Sequence, residues 1–266
     1  MSFVIAIQPW KALVATGSAL LAGAINSVAA GGTLLTFPTL IWLGLPSIDA
    51  NATSTLAIWP GTVSTIWGYR QELSSANSRM LALIVPSVIG GIAGALLLRY
   101  TPPAIFDALV PFLVLFATVL FMIQEPVQRR LKLAHLESHK SSKWLIGAML
   151  FQLFVALYGG YFGAGIGILM LAALSVLGLT DIHQMNGLKA LFGASVNGVA
   201  SAYFVWAGLI HWPEFVVMVV GAIAGGYGGA RIARRIGGAA VRRIVILVGF
   251  AMAASLFVKF LRSPAG

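Results

Sequence analysis

Long apolar runs alternate with short polar breaks along the whole chain. A transmembrane helix needs about 20 apolar residues, and most of these runs approach that length. Five runs precede a polar stretch in the middle of the chain, at 9–30, 33–45, 51–69, 80–99 and 104–124. Five more follow it, at 144–163, 166–179, 186–209, 214–232 and 243–261. The pattern predicts an all-α integral membrane protein with about eight to ten membrane segments.

The second run of each half, 33–45 and 166–179, is shorter than the others. At about 1.5 Å per residue such a helix reaches roughly 20 Å, which is too short to cross a bilayer upright. We expect both to be half-helices. Whether each one crosses or re-enters the membrane is left open by the pattern.

The two halves of the chain repeat each other. Leu43-Gly44-Leu45 recurs as Leu177-Gly178-Leu179, and Gly90-Gly91 with Gly94 recurs as Gly225-Gly226 with Gly229. The shared order at a nearly constant offset indicates an internal duplication. We therefore divide the chain into a first transmembrane repeat (1–124), a basic linker (125–143) and a second transmembrane repeat (144–266).

Composition excludes an ordinary soluble domain. Hydrophobic residues make up 59% of the 266 residues, charged residues only 9%, and the mean hydropathy is +0.94, whereas a soluble domain carries about 25% charged residues. Lipid tails solvate such a surface, so the bilayer is an expected partner. The chain has no cysteine, which excludes disulfides and thiolate metal sites. We expect no metal and no other cofactor.

The net charge of +10 gives the orientation rather than a nucleic-acid site, because the positive residues lie in short loops between apolar runs. The linker 125–143 and the loop 231–243 are both rich in Lys and Arg. Both reach the cytoplasm only if each repeat crosses the membrane an odd number of times. This arithmetic predicts two repeats of inverted topology and places both chain ends outside the cytoplasm.

Several motifs carry a family resemblance that covers almost the whole chain. The run Ala29-Ala30-Gly31-Gly32-Thr33-Leu34-Leu35-Thr36-Phe37-Pro38 resembles the glycine-rich opening of the sulfite exporter TauE/SafE family. Leu43-Gly44-Leu45-Pro46 and Asn51-Ala52-Thr53-Ser54 continue that pattern, and Gly163-Ala164-Gly165-Ile166-Gly167 with Lys189 resembles the second repeat of the family. The resemblance implies a secondary transporter, often an exporter, of sulfite, other sulfur-containing anions or organosulfonates. It also implies a multi-pass protein of a bacterial inner membrane.

The starts of the two half-helices are the main candidate for a substrate site. Backbone N–H groups at a helix start are unpaired donors, and the helix dipole favours an anion there. Inverted-repeat transporters often point such helix starts at a substrate near the membrane midplane. The candidate residues are Gly31, Gly32, Thr33, Gly163, Gly165 and Gly167. The alternative is that these glycines only allow close helix packing.

Polar side chains inside apolar runs complete the predicted site. Lys189 is the leading single candidate, because a cation inside a membrane helix usually faces a polar cavity; the alternative is a lysine that snorkels to the interface. Amide and hydroxyl groups donate to anion oxygens but also cap helices and join neighbouring helices. The candidates of this kind are Asn26, Asn51, Thr53, Ser54, Thr55, Asn186 and Asn197.

Other residues are candidates for control of transport. Arg70 ends the third run and is a candidate for a gate at the cytoplasmic mouth, or else a topology anchor. A coupling proton is a further partner to consider, with Asp49, Asp181 and His183 as its candidate carriers or as plain loop residues. A second copy of the chain, in a homodimer, is another.

The leading function is a secondary transporter of a small sulfur-containing anion, working by alternating access around a midplane site. The alternatives are an anion channel and a transporter of another small organic anion. An enzyme is not expected, because the chain has no His-Glu-x-x-His and no Gly-x-Ser-x-Gly motif. No phosphate-binding loop motif is present either, which argues against ATP-driven transport by this chain alone.

Overall fold

The computed structural model describes residues 7–26, 31–133, 142–176, 179, 181–236 and 238–262, and all regular structure in these ranges is helical. The helices before the linker are α1 (Pro9–Asn26), α2 (Thr33–Trp42), α3 (Ser47–Gly68), α4 (Arg70–Ser74), α5 (Ser78–Leu81), α6 (Ile84–Tyr100) and α7 (Pro103–Leu133). Those after it are α8 (Ser142–Tyr161), α9 (Ile166–Val176), α10 (Ile182–Trp206), α11 (Trp212–Ile236) and α12 (Gly238–Arg262). Each of the ten predicted runs forms a helix, so the all-α membrane class is confirmed.

Two boundaries differ from the prediction. Helix α7 continues to Leu133 and α8 begins at Ser142, so helix occupies much of the predicted linker 125–143. Charged and amide residues such as Gln, Lys and Arg are good helix formers, and a loss of hydrophobicity alone does not end a helix. Helix α3 begins at Ser47 rather than at residue 51, directly after Pro46. A proline before polar residues is a usual helix start.

The two short helices end in the same way. Helix α2 has 10 residues and α9 has 11. After α2, Gly44 takes the left-handed φ of +100°, and the N–H of Leu45 donates to the carbonyl of Leu40 at 3.1 Å. The equivalent bond after α9 runs from the N–H of Leu179 to the carbonyl of Leu174 at 3.2 Å. Glycine allows this chain reversal, and the reversal satisfies an otherwise unpaired carbonyl.

The helix of the first apolar run in each half packs against the helix of the fourth run in the other half. Helix α1 packs along α11 and α6 packs along α8, each pair running parallel through close glycine contacts. Gly23 meets Ala222 and Gly226, and the hydroxyl of Thr16 donates to the carbonyl of Val217 at 3.3 Å. Small residues allow membrane helices to approach to backbone contact.

Two further pairs run antiparallel. Helix α3 crosses α10, so that the Trp59 indole N–H donates to the carbonyl of Ala194 at 2.9 Å and Tyr69 packs near Gly187. Helix α7 crosses α12, where the rings of Phe112 and Phe257 lie 4.9 Å apart. In each pair the two helices form the same apolar run of the two halves: α3 and α10 form the third run, and α7 and α12 form the fifth.

The helices have the length and the outer surface of a multi-pass membrane protein. Among the described residues, Ser78–Tyr100, Pro103–Ile123 and His183–Trp206 are long and apolar enough to cross a bilayer, and several shorter apolar helices accompany them. Large apolar side chains face outward on many helices; Trp206 is 80% exposed and Phe154 is 68% exposed. Such a surface is stable against lipid tails and unfavourable in water.

Candidate functional site

A cavity of about 170 Å³ lies where the starts of α2 and α9 meet the facing halves of α3 and α10. One water occupies roughly 10–15 Å³ of such a volume, so a small anion with some of its water fits. Nine of the predicted site residues line it: Asn26, Gly31, Thr33, Gly163, Gly165, Gly167, Asn186, Lys189 and Asn197. The cavity therefore joins residues from both halves of the chain.

Helix α9 begins at the cavity with an open backbone. Gly163 and Gly165 both take the left-handed φ of +80°, which a residue with a side chain adopts only with strain. The Tyr158 hydroxyl holds this turn by donating to the carbonyl of Ala164 at 2.8 Å. Helix α9 then starts at Ile166, and the first N–H groups of a helix have no intrahelical acceptor. No side chain of the described residues caps them.

Helix α2 begins at the same cavity without a side-chain cap, but the loop before it is held by a side chain. The side-chain Oδ1 of Asn26, the last residue of α1, accepts from the N–H of Gly31 at 2.9 Å and from the N–H of Gly32 at 2.8 Å. Gly32 does not line the cavity. Two of the backbone donors predicted to meet an anion are thus already bonded inside the protein. The geometry favours a capping role for Asn26, and direct binding by Gly31 and Gly32 stays a prediction.

Lys189 lies in the second turn of α10 and lines the cavity. Its Nζ donates to the side-chain Oδ1 of Asn186 at 2.9 Å. Among the described residues no carboxylate pairs with it, since the ion pairs there all involve His211. A lysine without a counter-ion among apolar helices is unfavourable. The cavity is therefore electropositive and suited to a negatively charged ligand.

Asn197 lies about two turns after Lys189 in α10. Its Oδ1 is buried and has no hydrogen-bond partner in the described part of the chain. A Cβ added at Gly163 would lie 3.8 Å from this atom. Because the two ends of an amide are exchanged by a flip of the side chain, Asn197 offers the cavity either an acceptor or a donor.

The four polar residues near the start of α3 do not line the cavity; their side chains bond within the protein. Asn51 Nδ2 donates to the carbonyl of Tyr161 at 3.0 Å, and Thr53 Oγ1 accepts the His211 N–H at 3.0 Å. Ser54 and Thr36 share a hydroxyl bond of 2.7 Å, and Thr55 donates to the carbonyl of Asn51 at 2.8 Å. These contacts hold α3 against its neighbours, and a direct binding role for the four residues stays a prediction.

Arg70 also lies off the cavity. Its guanidinium donates to the carbonyl of Trp67 at 3.2 Å and lies 5.4 Å from the centre of the Trp67 ring. The adjacent Tyr69 does line the cavity. A role for Arg70 at the mouth stays a prediction.

The sequence argument missed the second half of α3, which supplies Gly61, Thr62, Thr65 and Tyr69 to the lining. Thr62, Thr65 and Tyr69 are spaced by three and four residues, so they share one helix face. A search for polar residues at helical spacing inside the third run would have found them. The Tyr69 hydroxyl adds a possible donor to an anion, whereas Thr62 and Thr65 donate to the carbonyls of Ile58 at 3.5 Å and Gly61 at 3.0 Å.

The sequence is similar to a family of membrane proteins and to several bacterial transporters. The family model described as "Sulfite exporter TauE/SafE" matches residues 15–256. A "probable membrane transporter protein YfcA" of Escherichia coli K12 is 28% identical over 239 residues, covering 90% of this chain and 86% of the relative. A "probable membrane transporter protein" of Haemophilus influenzae is 28% identical over 233 residues, covering 87% of this chain and 89% of the relative.

A "probable membrane transporter protein ORF9" of Sinorhizobium sp. is 26% identical over 241 residues, covering 90% of this chain and 89% of the relative. No solved structure matches the chain significantly. The relatives share nearly full length with this chain and support a multi-pass membrane transporter. Because the family model spans all but short ends, the chain belongs to the sulfite exporter TauE/SafE family.

Proposed function

We propose that the chain is a secondary transporter that carries small sulfur-containing anions, such as sulfite or organosulfonates, through the cavity between α2, α9, α3 and α10. The observation that carries the proposal is Lys189, which lies in the cavity without a partner carboxylate among the described residues. An oxyanion entering the cavity supplies the missing negative charge. The family name points to the same class of cargo, and the relatives are named as probable membrane transporters.

The cavity offers donors suited to a tetrahedral or pyramidal oxyanion. Lys189 acts as a compact positive charge that meets one oxygen. The N–H groups at the start of α9, near Ile166 and Gly167, meet another with the favourable end of the helix dipole. The hydroxyl of Tyr69 lies in the same lining and is available to a further oxygen, whereas that of Thr62 donates to the carbonyl of Ile58 at 3.5 Å. Together these groups replace the water that the anion leaves behind.

We further propose that the halves are inverted repeats and that transport proceeds by alternating access. In support, α3 runs antiparallel to α10 and α7 runs antiparallel to α12, and each pair joins helices of equal rank in the two halves. Repeats related by an axis along the membrane normal would bring such helices together in parallel. Rocking of one repeat against the other then exposes the cavity to each side in turn.

The cavity lies near the ends of α3 and α10 that adjoin a basic loop, and this position supports loading from the cytoplasm. Tyr69 lines the cavity at the end of α3, and the start of α10 packs on the same loop, where Gln184 Nε2 donates to the carbonyl of Ser75 at 3.4 Å. This loop carries Arg70 and Arg79, and basic loops face the cytoplasm. The proposed location is a bacterial inner membrane, with both chain ends outside the cytoplasm and export as the transport direction.

The test is uptake of labelled sulfite and a panel of organosulfonates into proteoliposomes that contain the full chain, with and without a pH gradient. We expect saturable flux that falls at least about tenfold in Lys189→Ala, which corresponds to ~1.4 kcal/mol or more. Lys11→Ala is the matched control, since Lys11 bonds the carbonyl of Leu43 at 2.9 Å, away from the cavity.

Each result has a separate meaning. Saturable flux that survives in Lys189→Ala keeps the transporter and removes the site from Lys189. Flux that rises linearly with concentration, without counter-transport, indicates an anion channel. No flux of any tested anion by folded protein refutes the proposed cargo and points to another small organic anion.

A further inference from the structure

A second polar cluster lies at the opposite end of the helices that line the cavity. His211, in the turn between α10 and α11, donates its backbone N–H to Thr53 Oγ1 of α3 at 3.0 Å. The Nε2 atom of the same histidine lies 3.2 Å from Asp49 Oδ2, also on α3. Helices α3 and α10 thus form the cavity with one pair of ends and are tied together at the other pair.

The other ring nitrogen of His211 faces a buried acid. Its Nδ1 lies 3.9 Å from Glu214 Oε2, an oxygen that is buried and has no hydrogen-bond partner among the described residues. Because a carboxylate only accepts, the bond to Asp49 places a proton on Nε2. The free position for a second proton is therefore Nδ1, which faces Glu214. A proton there places a positive charge 3.9 Å from the buried oxygen.

Further charged residues lie near this cluster. Arg99 and Asp107 line the neighbouring recess together with Asp49, and Asp107 accepts from the Ser47 hydroxyl. With His211 neutral, these positions hold three carboxylates, Asp49, Glu214 and Asp107, against the single cation Arg99. A positive imidazole reduces this imbalance and binds two of the acids at once.

We propose that His211, Asp49 and Glu214 form a proton-binding gate that closes this end of the transport path. With the proton bound, the imidazolium joins α3 to the start of α11 through Asp49, and Glu214 of its own segment lies beside its other nitrogen. Loss of the proton leaves Glu214 without a partner, weakens the tie and allows this end to open. The inference rests on the alternating-access function proposed above, and it assigns the coupling proton to these residues rather than to Asp181 or His183.

The test uses the absence of cysteine from the sequence, so that one introduced thiol reports alone. Ser201 on α10 is 2% exposed and its hydroxyl has no partner among the described residues, which makes Ser201→Cys a reporter between the cavity and the gate. The rate of maleimide labelling is measured in the purified full chain across the ordinary histidine range, about pH 5.5 to 8. Ser74→Cys, at the exposed last residue of α4, corrects for the pH dependence of thiol reactivity.

The corrected labelling of Ser201→Cys is expected to rise about two- to fivefold from the acidic to the alkaline end, the range that a partly exposed ion pair controls. In the His211→Gln and Glu214→Gln backgrounds the rate is expected to lose this pH dependence. His183→Gln is the matched control and is expected to retain it, because that side chain lies exposed at the start of α10. The pH profile separates the gate from a purely structural role for Glu214 in the first turn of α11.

A pH dependence that survives in His211→Gln overturns the gate, and so does a flat profile in the protein with native His211. The labelling needs no substrate. A pH-dependent profile without anion flux therefore keeps the gate and rejects the proposed cargo. Saturable flux with flat labelling keeps the cargo and rejects the gate.

Discussion

The starts of the two short helices hold equivalent places in the two halves but offer different chemistry. At α2 the Asn26 side chain occupies the N–H groups of Gly31 and Gly32. At α9 the turn through Gly163 and Gly165 leaves the first N–H groups without a side-chain cap from the described residues. The loop before α2 is thus held by a side chain of α1, whereas α2 itself begins at Thr33 without a side-chain cap, as α9 does among the described residues.

Lys189 extends this difference, since Thr55 holds the position equivalent to it in the first repeat. Thr55 bonds the carbonyl of Asn51 inside α3, whereas Lys189 reaches the cavity. The lining of the cavity is therefore asymmetric around the crossing of α3 and α10. The comparison teaches that two similar helix starts differ in the side chains around them, and that these side chains decide the chemistry of the cavity.

The largest effect on anion flux is expected when the turn before α9 is disturbed. Gly165→Ala places a side chain at a left-handed φ of +80°, which costs about 1–2 kcal/mol and shifts the turn before α9. We expect saturable anion flux to fall roughly tenfold or more. Gly17→Ala in α1 is the control, because a Cβ there meets no atom within 4 Å. Full flux in folded Gly165→Ala refutes a binding role for this turn.

Two substitutions at Asn26 test the role of this side chain in the loop before α2. Asn26→Ala removes the acceptor of two buried N–H groups and is expected to lower stability by ~1–2 kcal/mol, seen as a lower Tm. Asn26→Asp keeps the acceptor and is expected to preserve Tm. Its negative charge at the cavity is expected to raise KM for the anion about tenfold. The capping interpretation fails if the Tm of Asn26→Ala is unchanged.

A smaller effect of the opposite kind is expected at Asn197. Because its Oδ1 has no protein partner among the described residues, Asn197→Ala is expected to change Tm little. Loss of one hydrogen bond to the ligand, worth about 0.5–1.5 kcal/mol, is expected to raise KM roughly two- to tenfold. Parallel thermal-shift and uptake measurements on this variant and on Asn26→Ala distinguish a ligand contact from a cap. A large loss of Tm with an unchanged KM contradicts the assignment.

Sequence reasoning predicted the half-helices and Lys189 because local features encode them. The runs 33–45 and 166–179 are short and follow glycines, and a lysine within an apolar helix is conspicuous whatever surrounds it. The same reasoning treated Asn51, Thr53, Ser54 and Thr55 as ligand candidates because hydroxyl and amide groups suit an anion. Composition does not reveal that Asn51 instead bonds Tyr161, a residue in the other half of the chain.

The amino-acid sequence by itself determined the membrane class, the ten apolar runs that form helices and the short length of two of them. Hydrophobic length and glycine position act locally along the chain, so these properties are legible without a structure. Only the tertiary structure decided which polar groups are free. The Asn26 side chain bonds the backbone just before α2, whereas no described side chain caps α9. His211 meets Asp49, which is 162 residues away in the sequence. Whether a donor meets a ligand or the protein itself depends on contacts between distant segments.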